Sequence, residues 1–354
     1  MTFFYYSCIL FYLFIFRFLL LTKLHKSTVF FVFLHFLILS CFFGFREIVP
    51  FTDSYYYVQF FSEISSIKDL FYGVTSWKKD YVFFSISLFS AHLVPIFGDK
   101  AHIFLVSFIS IGILLLTIYK FYKDDPVRLT THLIFVLVST SFIALYGNLI
   151  RQGLAISILL LSIFYYSRRK NLLSIIYFLI AYYCHKSCII FAAFPFILLV
   201  EKKIKKMYLA ESIFIILLII YAIGNISYSL IPEVGFISDK VAIYSGAISS
   251  SFNIKLISIV LIIFVTFLLR KSPLDFLFYK FLIYVGILAL IASPYELIAN
   301  RILFYSFLPM PFLMTRIFYF FKQNQFSNFM LLVTTFIFFS FVIRYSTSFI
   351  NIGY

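Results

Sequence analysis

The sequence predicts an all-α, polytopic helical bundle of the membrane, and three observations carry that prediction. Of its 354 residues 63% are hydrophobic and 12% charged, whereas about a quarter of a soluble domain is charged, so polar surface is too scarce to cover a soluble globule. Apolar runs of roughly 15 to 22 residues recur end to end with short polar turns between them, close to the ~20 residues that a spanning helix needs. Barrel strands would alternate in segments of about 10 residues, and that pattern does not occur.

Taken in order, the apolar segments are residues 3–21, 28–45, 81–97, 101–119, 129–147, 150–167, 171–184, 187–200, 210–224, 254–269, 276–293, 301–320 and 328–343, in one polytopic domain covering 1–354. The first contains Arg17 and no small-residue cleavage site, so it reads as a retained span and not a signal peptide. Cys8, Cys41, Cys184 and Cys188 lie in or at the ends of apolar runs without metal-type spacing, as packed thiols do. The net charge of +15 sits in small clusters between segments, which is how orientation signals are distributed and not how a nucleic-acid surface is built. These clusters are Lys23/Lys26, Lys120/Lys123/Arg128, Arg168/Arg169/Lys170, Lys202/Lys203/Lys205/Lys206, Arg270/Lys271 and Arg316/Lys322. The positive-inside rule places all of them in the cytoplasm.

One segment conflicts with that assignment. Three runs lie between the Lys23 and Lys120 turns, where an even number of crossings is required. The weakest is 81–97, broken by Ser85, Ser87, Ser90, His92 and Pro95. It is expected to be re-entrant or interfacial, a geometry tolerated only against protein or along a wet cavity. The longer polar segments then collect on the opposite, extracytoplasmic face: the loops 46–80 and 225–253, the turns at 148–151 and 184–187, and Pro294-Tyr295-Glu296 through Asn300-Arg301.

Candidate functional residues follow from charge placed where charge is costly. From Leu129 to Val200 there is no Asp or Glu, and the cations outside the Arg168-Arg169-Lys170 turn are Arg151 and Lys186. Arg151 has no local counter-ion, so it either reaches lipid headgroups or waits for an anion. At 1.5 Å per residue Arg151, His185 and Arg301 stand roughly 22 to 26 Å above the basic turns. That is inside a core of about 30 Å, so they would line a pocket in the outer leaflet. Each has a plainer reading: His185 as a neutral histidine bonded to backbone at a helix end, Arg301 as the partner of Glu296, Asp53 as an N-cap. Tyr55, Tyr56, Tyr57 and Trp77 fit an interfacial belt as well as a sugar-stacking surface.

Asp53 with the tyrosines after it, Ile150-Arg151-Gln152-Gly153-Leu154-Ala155, a basic turn about 15 residues on, His185-x-Ser187 and Ala299-Asn300-Arg301 before a late segment together resemble the EpsG-like branch of Wzy-type O-antigen and exopolysaccharide polymerases. The resemblance runs over residues 28 to 320. It departs from the pattern in Lys186 and in the 225–253 loop, which carries no strong motif. It implies a multi-pass glycosyltransferase of the bacterial inner (plasma) membrane. Such an enzyme joins undecaprenyl-diphosphate-linked oligosaccharide repeat units at the periplasmic face, in O-antigen or lipopolysaccharide synthesis, without a cofactor. Arg151 and Arg301 would then grip the diphosphate, since a guanidinium fork matches phosphate oxygens. His185 or Asp53 would take the proton of the acceptor hydroxyl, Gln152 and Ser187 would orient, and Tyr55 and Glu296 would face the glycan. Carboxylates seldom cluster, so metal-independent catalysis is expected. The implied partners are the lipid-linked oligosaccharide, the bilayer, a flippase and a chain-length regulator, with no nucleic acid. The alternatives are a lipid-linked oligosaccharide flippase, an O-antigen ligase and an intramembrane acyltransferase.

Overall fold

The computed structural model describes residues 28–48, 53–64, 66–72, 80–137, 139–195, 198, 208–224, 251–269, 272–293 and 295–321. The segments 3–21 and 328–343, Trp77, and residues 225–250 of the expected outer loop lie outside them. Among the described residues there are helices and turns and no strand. Three helical stretches are long and apolar enough to cross a membrane, five if each of two bent pairs is one span, and four more apolar helices are shorter. The chain is therefore an all-α, multi-pass membrane protein. The described residues fall into two compact units, one reaching Ile190 and one starting at Phe191.

The first unit holds α1 (Thr28–Gly44), α2 (Asp53–Ser62), α3 (Ile67–Tyr72), α4 (Tyr81–Ser90), α5 (Val94–Phe97), α6 (Ala101–Tyr122), α7 (Pro126–Leu137), α8 (Thr140–Gly147), α9 (Ile150–Ser167) and α10 (Asn171–Cys184). α9 is buried around its whole circumference from Gln152 to Ile163, which is the pattern of a helix at the centre of a bundle. It is buried and packs against α6, α8 and α10. Small residues let its neighbours approach: Ser162 Oγ donates to the Ser174 carbonyl of α10 at 2.7 Å. On the α8 side, the Tyr146 hydroxyl and Ser157 Oγ are hydrogen-bonded at 2.6 Å. α10 turns Leu172, Ile175 and Leu179 outward, an exposed apolar face of the kind that lipid covers.

Side-chain contacts settle the crossing problem. Lys100 Nζ donates to the Phe45 carbonyl at 3.0 Å, and the Phe45 and Phe104 rings stack at 5.0 Å. The C-terminus of α1 and the N-terminus of α6 are thus side by side, and the chain between them begins and ends at one end of the unit. The segment 81–97 does the same: Phe83 lies 5.5 Å from His102 at the start of α6, and Phe97 lies 5.4 Å from Phe45. Residues 81–122 are one continuous apolar stretch of 42 residues, about 63 Å if straight and twice what a core needs. The chain instead turns at Gly98, whose φ of 58° is open to glycine without steric cost. The segment enters and leaves on one side, as its interrupted pattern predicts. At the other end Lys120 lies 5.6 Å over the Tyr165 ring and Phe121 packs on Phe164 at 4.9 Å. The basic turns after α6 and α9 therefore share one end, as the positive-inside assignment requires.

The second unit holds α11 (Leu209–Gly224), α12 (Ser251–Leu269), α13 (Pro273–Ile291), α14 (Glu296–Leu303) and α15 (Met310–Phe321). α13 opens with a capping box in which Ser272 Oγ accepts from the Asp275 N–H at 3.0 Å and Asp275 accepts in return at 3.1 Å. Asp275 also pairs with Arg316 at 3.2 Å, tying α15 to the start of α13. Inside the unit Lys280 of α13 is bonded to Glu211 of α11 at 2.5 Å.

Three expected spans are not single straight helices. Residues 129–147 divide into α7 and α8, which meet at 70°. Residues 301–320 bend by 44° between a 3₁₀ turn at Phe304–Phe307 and α15. Pro309, which has no N–H to continue the ladder, sits at that bend, with Pro311 in the first turn after it. The 187–200 segment begins as 3₁₀ helix, Lys186–Ala193, and the N–H of Ser187 in its first turn donates to the His185 ring.

Candidate functional site

In the first unit the end that carries the C-termini of α1 and α10 and the N-termini of α4, α6 and α9 gathers most of the candidate residues. Arg151, in the first turn of α9, has a counter-ion and a largely buried side chain. Its Nη1 is ion-paired with Asp80, the residue that precedes α4. Arg151 has no counter-ion in its own stretch of sequence, as read there; the partner comes from 71 positions upstream. The ring of Tyr57 lies 5.4 Å beneath the guanidinium and its hydroxyl is hydrogen-bonded to it. Asp53, one turn earlier on α2, accepts from the Tyr57 hydroxyl at 3.4 Å. Arg151 thus stands between two carboxylates, Asp80 directly and Asp53 through a phenol.

Asp80 is 4% exposed. Burial pushes its carboxyl above the ordinary range, against the opposing pull of the Arg151 charge, a backbone N–H of Lys186 and the Lys186 charge. Its Oδ1 is buried with no hydrogen-bond partner among the described residues, and the same holds for Nε of Arg151. Buried polar atoms left without partners are uncommon enough to call for an explanation.

His185 caps α10, its N–H bonded to the Ala181 carbonyl at 3.0 Å. Ser187 folds back on the ring: its N–H donates to Nδ1 at 3.2 Å, and Oγ lies 2.7 Å from the same atom. An amide N–H can only donate, so Nδ1 is the acceptor and the proton of the neutral imidazole is on Nε2. In this state His185 offers the site a donor. Gln152 is buried in the first turn of α9, and Tyr55, on α2, meets the Tyr56 ring edge-on at 5.7 Å.

A second buried cation braces the same end. Arg46, just past α1, donates through Nη1 to the Phe43 carbonyl and through Nη2 to Ser54 Oγ at 2.7 Å. Ser54 Oγ in turn donates to the Asn148 carbonyl at 3.2 Å. Burial lowers the Arg46 pKa to about 10. This bridge ties α1, α2 and the α8–α9 turn together and so fixes the base from which Arg151 projects.

Arg301 belongs to the second unit, on α14. Beside it, Lys255 of α12 donates to Asn300 Oδ1 at 3.1 Å and lies 4.6 Å over the Phe304 ring. The Glu296 side chain lies outside the described residues. Among the described residues no group of three or more His, Cys, Asp and Glu is placed to hold a metal ion.

Sequence reasoning missed Asp80, Arg46 and Lys255. Asp80 and Arg46 are the first charged residues beside an apolar run, and Lys255 stands in the first turn of one; such positions read as boundaries and conceal a partner. The useful signal for Asp80 was negative: a 72-residue stretch without acids around a buried arginine requires its counter-ion to come from another segment.

No curated protein and no solved structure matches this chain. The EpsG family does, over residues 29–354. That match takes in nearly all of the sequence and every residue of the cluster around Arg151, and the chain belongs to the EpsG family.

Proposed function

We propose that this protein is a polysaccharide polymerase: a membrane glycosyltransferase that joins oligosaccharide repeat units carried on undecaprenyl diphosphate, acting at the periplasmic face of the inner membrane. Membership of the EpsG family supports polymerase-type activity in polysaccharide synthesis. The observation that carries the finer reading is the Arg151 guanidinium, held at one end of its unit by Asp80 and Tyr57 with a buried N–H left over. A fixed cation in a dry setting stabilises charge that develops on a leaving group more than charge already present.

In the reaction the anomeric C–O bond to phosphate breaks as the acceptor hydroxyl attacks, and negative charge grows on the lipid diphosphate. Arg151 receives that charge; Arg301 is the phosphate-binding residue that the Ala299-Asn300-Arg301 motif implies. His185, its Nδ1 engaged by Ser187, donates from Nε2 to a phosphate or glycan oxygen. Gln152 orients the donor, and Tyr55 and Glu296 meet the glycan. The proton of the acceptor hydroxyl goes to a carboxylate of the cluster, in which Asp80 and Asp53 flank Arg151. This chemistry needs no metal.

Reconstitution of the purified protein with a lipid-linked repeat unit tests this. A ladder of polymer on a gel is expected, and Arg151→Ala or His185→Ala protein that inserts normally should give none. In cells, deletion should leave single repeats on the surface. Finished lipid-linked polymer that is never transferred would instead identify a ligase, and repeat units trapped in the cytoplasm a flippase.

A further inference from the structure

Asp80 is absorbed by none of these roles, and its surroundings are unusual. One carboxylate oxygen is committed to Arg151, while the other is buried and has no partner among the described residues. On the far side of the pair Arg151 Nε is likewise buried and without one. A lone acceptor and a lone donor on either side of one ion pair match a ligand with a hydroxyl to give and an oxygen to receive. A sugar hydroxyl beside a phosphate is such a ligand.

Charge accounting sharpens the assignment. Arg151 in the folded site is neutralised by Asp80, and a diphosphate brings further negative charge to the same guanidinium. Once the phosphate oxygens take Arg151, Asp80 loses its counter-ion while remaining buried, and a buried carboxylate without a counter-ion binds protons more tightly. The groups that face it are Arg151 of α9, with Tyr57 and Asp53 of α2 behind, and Cys184 and Lys186 at the end of α10. Arg151 and Lys186 are the cations among them, and Arg151 is the one the substrate would take away.

We infer that Asp80 is the general base of the polymerisation step, made basic when the lipid diphosphate takes Arg151 from it. The inference rests on the polymerase reading above. The acceptor-sugar oxygen forms a bond to the anomeric carbon of the donor, its proton passes to Asp80 Oδ1, and the anomeric C–O bond to phosphate breaks with its electron pair leaving on the diphosphate. No further reactant enters. Donor binding and base activation become one event, so an acceptor hydroxyl is deprotonated only when a donor is in place.

The test uses the full-length protein in lipid nanodiscs, with a purified lipid-linked repeat unit as substrate and undecaprenyl diphosphate as the binding probe. Asp80→Asn should lower kcat by at least about 100-fold while binding undecaprenyl diphosphate as tightly as the parent or more tightly, since a competing anion is gone. The acidic limb of the wild-type pH–rate profile should disappear in Asp80→Asn and shift in Asp80→Glu, which retains a base. Asp80→Asn turnover within about threefold of the parent, or lost probe binding with normal turnover at saturation, overturns the assignment; the second result makes Asp80 only a support for Arg151. Should Asp80→Asn not insert, an acidic limb unchanged in Asp80→Glu overturns it as well. A wild-type protein that makes no ladder refutes the polymerase reading, whereas an equal ladder from both proteins refutes only the role of Asp80.

Discussion

Gly153 is the position at which packing and site geometry are most directly coupled. It sits one turn into α9, two residues after Arg151. A Cβ built on it would lie 2.6 Å from the Leu145 carbonyl oxygen and 3.1 Å from its carbon. Both are backbone atoms of α8, so no rotamer change relieves the contact. Restoring an ordinary separation of 3.4 Å to that oxygen requires α8 and α9 to move apart by nearly 1 Å. Overpacking of this kind costs typically 1–3 kcal/mol. The larger effect should be catalytic, because the displaced turn carries Arg151 and Gln152 relative to Asp80 and Tyr57, and a misplacement of about 1 Å can cost ~10²-fold in rate. Gly153→Ala should therefore lower the thermal midpoint in nanodiscs by several degrees and reduce polymer formation by about 100-fold. Unchanged melting and an unchanged ladder would show that α8 and α9 do not meet at Gly153, since a clash with backbone cannot be silent.

Three further perturbations separate structural from chemical roles. Ser54→Ala strands the buried Arg46 Nη2 and frees the Asn148 turn, so it should cost roughly 1–3 kcal/mol in urea unfolding, with Ser54→Thr largely neutral. Lys280→Met takes from the buried Glu211 the cation bonded to it and should destabilise by up to about 3–5 kcal/mol, whereas Lys280→Met with Glu211→Leu should recover most of that loss; equal damage from the single and double variants would show that the pair is not what matters. Ser187→Ala removes the hydroxyl contact to His185 Nδ1 but keeps the amide one. It should slow turnover about tenfold with little change in stability, on the scale of one neutral hydrogen bond, and a full ladder at normal rate would remove Ser187 from the site.

Hydropathy is summed over a window of about 20 residues, and what depends on such a window was legible in the sequence: the all-α membrane class, the position of α9 and α10 to within a residue, the broken character of 81–97, and the shared end of the basic turns after α6 and α9. Arg151 and His185 were legible for the same reason, as polar groups in local surroundings too apolar to account for them. The counter-ion of Arg151 was not. Asp80 reads locally as the last polar residue before an apolar run, and only the return of 81–97 against α9 and α10 brings it to the guanidinium. Likewise the tautomer of His185 follows from the backbone fold at Ser187. An ion pair between residues 71 positions apart is decided by which helix ends the tertiary fold places together, and no local average of the sequence contains that information.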